Sequence, residues 1–268
     1  HWQDSKFVQQ IVLGADSPEV QVINDIDWHE THVLLKVAFP LAATSKKATF
    51  EIPFGSIERP ASRDNSWDKA FFEVSAQHWA DLGDGQHGFS LINESKYGYD
   101  AKINTLRLSL LRSPVWPDPE ADRGPHHFSY WLYPHAGDWK AAQTVHRGYE
   151  ANYPLVAMQV EPHEGTLPGR HSFVSVAPAN VILTAVKKAE DSNALLFRVY
   201  ESTGKQSEVT LDVPEGGTAA TATNLMEQPV QGGSVSMNSG RVSFTIHPYE
   251  IQTIEVAYPA SKQMQSNE

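Results

Sequence analysis

Asp118, Glu120 and Asp122 place three carboxylates on one short stretch, SPVWPDPEADRGP. Paired carboxyl groups are the usual carriers of general acid and base chemistry. This stretch is Pro-rich, however, and gives its side chains no rigid support, so a solvated loop is the expected reading. The 12 histidines raise a second possibility, a metal site. His126 and His127 are adjacent, so on a strand they point to opposite faces and do not chelate one ion together. His29 and His32 have i, i+3 spacing, but in a stretch that leads into a strand, and His135 lies in the turn YPHAGDW. No HExxH occurs, and structural roles are expected for all of them. The chain has no cysteine, which excludes disulfides, thiolate metal sites and a cysteine nucleophile.

The polar turn NESKYGYD offers a third kind of chemistry. Asn93, Lys96, Tyr97 and Asp100 present polar groups and one flat ring, a combination that holds hydroxyl-rich ligands. The competing reading is a hydrogen-bonded turn with Tyr97 packed as a lid, and both stay open. Phe128, Tyr130, Trp131 and Tyr133 are candidates for a stacking platform, but at a period of two they are expected to fill a sandwich core.

These groups sit on a chain patterned for strands. HVLLKVAF puts Val33, Leu35, Val37 and Phe39 on one face, and Pro40 ends the run. ATFEIPF repeats the alternation, with Pro53 confining it to an edge or a strand end. Residues 71–82 are ambiguous between strand and irregular structure. FSLIN (89–93), LRLSLLRS (106–113) and FSYWLY (128–133) are further strands, the second alternating Leu106, Leu108 and Leu110 against Arg107, Ser109 and Leu111. One helix is expected: Asp138 caps WKAAQTVHRGYEAN, with Trp139, Ala142, Val145 and Tyr149 at helical spacing and Pro154 as the stop. From about residue 177 the texture changes to short strands between Gly-, Pro- and Ser-rich turns, the pattern of a small β-sandwich. The fold class is therefore all-β and mainly antiparallel. A large sandwich over 1–175 precedes a small one over 176–258, with one helix near the join and a flexible tail at 259–268.

A net charge of −11 argues against a nucleic-acid partner, which would call for a basic patch. No apolar run approaches the roughly 20 residues that span a bilayer, so no membrane partner is expected. HWQDSKFVQQ lacks the basic start and apolar core of a signal peptide. The expected setting is cytoplasmic.

IPFGSIERP, WDKAFFEV with HWADL, LINESKYGYD, LRLSLLRSPVWPDPEADRG and HHFSYWLYPHAGDW together resemble the C-terminal region of family 38 α-mannosidases, in the branch of bacterial and cytosolic or vacuolar enzymes. VTLDVPEG with IHPYEIQTIEV is similar to the terminal β domain of that family. The resemblance runs from about residue 30 to the end of the last strand. It implies a mutarotase-like β-supersandwich followed by a smaller β-sandwich. It also implies a retaining exo-glycosidase that removes terminal α-mannose, with the nucleophile and the zinc ligands in N-terminal segments that this chain does not contain. No catalytic or metal residue carries over, and no cofactor is expected in this chain; zinc is expected in the missing catalytic domain.

Arg112 lies where the family places an arginine just after the strand, near the substrate end. Its planar fork suits sugar hydroxyls or a carboxylate across a domain interface, or else an ion pair with Asp118 or Asp122. Arg112, Asn93, Lys96, Tyr97 and Asp100 are thus the substrate-binding candidates. The expected partners are a mannose-containing glycan, the N-terminal catalytic domain of the same protein and a second copy of the chain. Trp28, Phe39, Phe54 and Trp67 are candidates for an apolar docking patch. The expectation is that this chain alone is inactive. A stand-alone carbohydrate-binding sandwich is the alternative, and a mutarotase-like epimerase lacks a convincing His/Glu pair.

Overall fold

Alternating apolar residues become strands along nearly the whole chain. In the computed structural model, residues 1–232 and 234–259 are described; 260–268, most of the expected tail, lie outside the described residues. The chain divides into two compact units, His1–Met158 and Gln159–Glu268. Between Asn152 and Ser175 there is no helix or strand. No helix among the described residues is long and apolar enough to cross a membrane.

The first unit runs β1 (Lys6–Leu13), β2 (Val20–Trp28), β3 (Leu35–Pro40), β4 (Lys47–Ile52), β5 (Gly55–Pro60), helix α1 (Ser66–Ala70), β6 (Val74–Ser75), β7 (Trp79–Gly83), β8 (His87–Asn93), β9 (Gly98–Lys102), β10 (Thr105–Leu111), β11 (Gly124–Ala136) and helix α2 (Thr144–Asn152). Seven strands form one sheet in the order β1-β2-β11-β8-β7-β4-β5, and four form another in the order β3-β10-β9-β6. Trp28, Phe50, Leu82 and Leu91 from the first sheet share one buried cluster with Tyr99, Leu106 and Leu108 from the second. That shared core makes the unit a sandwich.

Period-two alternation explains β10. Leu106, Leu108 and Leu110 are buried, as the pattern requires. Leu111 is buried as well, because a register shift between Ser109 and Leu111 turns the strand end and sends the chain into the loop after it. The aromatic strand β11 contributes Phe128 and Tyr130 to the core, not to an exposed platform.

The second unit holds β12 (Ser175–Ala177), β13 (Val181–Lys188), β14 (Leu195–Glu201), β15 (Ser207–Asp212), β16 (Ala219–Thr223), β17 (Val235–Asn238), β18 (Arg241–Ile246) and β19 (Ile251–Ala257). Its two four-stranded sheets, β12-β15-β18-β17 and β13-β14-β19-β16, are antiparallel throughout and enclose a core of Val, Leu, Ile and Phe.

Three expectations need correction. The helix after Asp138 is shorter than its periodicity suggests, 9 residues from Thr144 to Asn152. Asp138 does accept a hydrogen bond from the Ala141 N–H (2.8 Å), but Gln143 adopts φ 55° and the helix proper begins at Thr144. A left-handed residue interrupts the ladder, and Trp139 turns inward to pack on Trp79 with ring centroids 5.1 Å apart. A short helix, α1, was not read from the sequence; Asn65 caps it through the Asp68 N–H. Finally, Trp28 is fully buried and Phe39 packs against the core, so of the four docking candidates only Phe54 and Trp67 are exposed.

Candidate functional site

The loop after β10 forms one wall of a groove of about 730 Å³. His32, Glu73, Arg112, Ser113, Trp116 and Asp122 line it, with Leu34, Leu110 and Val115 as apolar floor and wall. Three anchors fix its start. The Asp122 carboxylate accepts hydrogen bonds from the N–H groups of Arg112 (2.9 Å) and Ser113 (2.8 Å). The His32 N–H donates to the Ser113 carbonyl (2.8 Å). The buried Trp28 indole N–H donates to the Ser113 hydroxyl. Ser113 itself has φ 52°, a conformation these anchors hold in place.

Partial burial would raise the Asp122 carboxyl, but the two backbone N–H bonds, with His126 and Lys96 nearby, hold it below the ordinary aspartate value. Asp122 therefore stays charged and keeps clamping the loop. Arg112 is exposed, and among the described residues its guanidinium makes no salt bridge. The alternative of an ion pair with Asp118 or Asp122 is not what the fold builds, since Asp122 grips the main chain of Arg112 instead.

The other candidates divide. Asn93 is fully buried, and both amide N–H groups are used, on the Gln77 carbonyl (2.7 Å) and the Tyr99 hydroxyl (2.6 Å). Its amide oxygen accepts from the Lys96 N–H (2.7 Å). No polar atom is left to reach a ligand, so Asn93 is a turn-builder. Asp100 is buried as well, pairing with Arg107 (2.6 Å) and with Lys36. In both, partners from elsewhere in the unit take up the polar atoms: Gln77, Tyr99 and Lys96 for Asn93, Arg107 and Lys36 for Asp100. Lys96 lies with its ammonium 4.4 Å from the centroid of the Phe128 ring, where burial lowers its pKa and the Asp122 charge opposes that. Tyr97 is 57% exposed and is not packed as a lid. Neither Lys96 nor Tyr97 lines the Arg112 groove.

The carboxylates of the loop do not form a reactive pair. Asp118 caps the Glu120 N–H (3.0 Å), Glu120 pairs with Arg123 (3.0 Å), and Asp122 serves the main chain. His126 bonds the Asp122 carbonyl (2.7 Å) while His127 bonds Asp25 (2.6 Å), so the two adjacent rings part as strand geometry dictates. Among the described residues no group of three His, Cys, Asp or Glu side chains has the geometry to hold a metal.

A second polar cluster was not read from the sequence. The Ser90 hydroxyl meets Asp81 (2.8 Å), His135 Nε2 (3.2 Å) and the Thr144 hydroxyl (2.8 Å), and His135 Nε2 meets Asp81 (2.8 Å). The residue types are those of a nucleophilic triad, but the geometry is not. Asp81 and Ser90 both approach the same imidazole nitrogen, so no base is oriented by one and offered to the other. Ser90 is also fully buried. The cluster ties the first turn of α2 to β7, β8 and β11. Of the groove residues, Glu73 and Trp116 were not singled out in the sequence and His32 was weighed only as a metal ligand; the three come from separated stretches. Only Trp116 carried a signal, as a large apolar residue in a Pro-bracketed polar loop.

Comparison with known proteins matches residues 1–120 to the glycosyl hydrolases family 38 C-terminal domain and residues 180–254 to the glycosyl hydrolases family 38 C-terminal beta sandwich domain. The chain is 37% identical over 255 residues to alpha-mannosidase 2C1 of Mus musculus, covering 94% of this chain and 24% of that protein. It is 30% identical over 269 residues to an alpha-mannosidase of Saccharomyces cerevisiae, covering 92% of this chain and 24% of that one. The crystal structure of an alpha-mannosidase from Enterococcus faecalis superposes with a TM-score of 0.80 at 22% identity, over 94% of this chain and 29% of that chain. At that identity the superposition speaks to the fold. The chain thus spans about a quarter of the length of its curated relatives.

Proposed function

We propose a function for a chain that belongs to glycoside hydrolase family 38, as part of its C-terminal β region: it is the scaffold of an α-mannosidase and supplies one edge of the sugar site, while the bond-breaking groups belong to the rest of the protein. A retaining glycosidase needs two carboxyl groups about 5–5.5 Å apart, or a metal-assisted equivalent. The acidic residues of the loop are each engaged by main chain or by an arginine. The observation that carries the assignment is Arg112, an exposed guanidinium without a salt bridge among the described residues, on a turn clamped by Asp122. A charged fork held in that way serves a partner outside its own unit, either sugar hydroxyls or a carboxylate of the hydrolytic portion. Zinc belongs, in the same proposal, to the portion outside this chain, and the setting is cytoplasmic.

The test is mannose release from an aryl α-mannoside. The full-length protein is expected to turn over, and this 268-residue chain alone is not. Arg112→Ala in the full-length protein should lower kcat/KM by roughly 10- to 100-fold, the loss of a charge-assisted contact worth about 1.5–3 kcal/mol. Turnover by the isolated chain would place the machinery here after all.

A further inference from the structure

The groove beside Arg112 contains a feature that an active-site edge does not by itself require. Trp116 is 83% exposed, whereas Trp28 and Trp79 are fully buried and Trp139 nearly so. Exposing an indole forgoes a large hydrophobic gain. Pro114, Pro117 and Pro119 bracket it, and each fixes its own φ near −65°, so the ring is presented on a stiff loop. The loop's origin at Ser113 is held by the Asp122, His32 and Trp28 anchors already described. A ring held this way loses little conformational entropy on binding.

The rest of the groove has the chemistry of a sugar's two surfaces. Its volume of about 730 Å³ falls within the roughly 300–1,000 Å³ typical of small-ligand pockets. Leu34, Leu110, Val115 and the Trp116 ring suit the C–H face of a pyranose. The hydroxyl edge needs polar groups that are not already committed. Glu73 is engaged by Ser109 (2.7 Å) and by Lys36, and Asp122 by main-chain N–H groups. Arg112 and the exposed His32 remain to meet hydroxyls.

We infer that Trp116 is a stacking platform for the sugar on the leaving-group side of the scissile bond, with Arg112 and His32 at its hydroxyl edge, an inference that rests on the function proposed above. The open side of an exo-hydrolase's site is where the leaving-group sugar projects, and a ring this exposed belongs on that side. Trp116 is then a specificity determinant and takes no part in bond cleavage.

The test compares two substrates of the full-length protein, methyl α-mannoside and an α-linked mannobiose, by mannose release. Trp116→Ala should lower kcat/KM for mannobiose roughly tenfold, mainly through KM, and leave methyl α-mannoside within about twofold. Trp116→Phe should recover most of the loss, because a flat ring returns. Equal losses on both substrates would overturn the inference in favour of Trp116 packing against the hydrolytic portion, while leaving the proposed function standing. If the unmodified protein releases mannose from neither, the proposed function falls instead. Tryptophan fluorescence then decides the groove: quenching by mannobiose that disappears in Trp116→Ala upholds a saccharide site, and no such quenching overturns it.

Discussion

Two polar clusters in the first unit carry opposite messages. Asp81, Ser90, His135 and Thr144 have the residue types of a hydrolytic site, and all four side chains are turned inward and bonded to one another, with His135 Nδ1 left buried and without a partner among the described residues. Arg112, His32 and Trp116 come from separate stretches, yet they stand open in one concave groove, and among the described residues the arginine fork makes no salt bridge. Residue type alone does not separate the two. What separates them is solvent access and whether the hydrogen-bonding capacity is already used. A buried satisfied network specifies packing, while an exposed unsatisfied group on a rigid support is available for a ligand.

The contrast can be broken by substitution. The largest expected effect is Asp81→Ala, which takes one partner from the buried Ser90 hydroxyl and leaves His135 Nε2 only its 3.2 Å contact with Ser90. It should cost about 3 kcal/mol in a denaturant titration and loosen the start of α2. Next is Gly148→Ala, where a Cβ would sit 2.9 Å from the Trp79 ring. The flat ring under α2 has little room to withdraw, and a loss of about 2 kcal/mol is expected. Asn93→Ala, which removes the partner of the buried Tyr99 hydroxyl, should lie near 1–2 kcal/mol by the same measurement. Arg112→Ala, by contrast, should leave stability within about 0.5 kcal/mol while impairing activity. A large stability loss there would erase the distinction between the clusters.

The smallest effect is pH-dependent. Asp122 has a folded pKa below its ordinary 3.8. Its stabilisation of the loop is therefore fully present above that ordinary value and is lost only as pH falls through the lower folded one. Fluorescence of the loop tryptophan should stay flat from neutral pH to about pH 4 and change below it, and Asp122→Asn should abolish that acid-side transition.

The sequence carried the fold further than the site. Leu106, Leu108 and Leu110 announced β10 because a strand places every second residue on one face, and all three are buried. The pattern LLRSPVWPDPEADRG marked a loop whose residues line the groove. For Asn93 and Asp100, nothing local reveals that Gln77, Tyr99, Arg107 and Lys36 are their hydrogen-bond and ion-pair partners. The helix after Asp138 was overdrawn because periodicity does not register a single left-handed residue, Gln143.

Alternation, turn residues and absent cysteine determined by themselves an all-β, antiparallel, disulfide-free chain, since those properties depend on neighbours a few positions apart. Which polar groups are spent and which are left open depends on residues such as His32, Glu73 and Trp116, far apart in sequence and adjacent only after the sheets pack. Long-range packing sets burial and hydrogen-bond partnership, and for that reason only the tertiary structure decided which polar groups stay open to solvent.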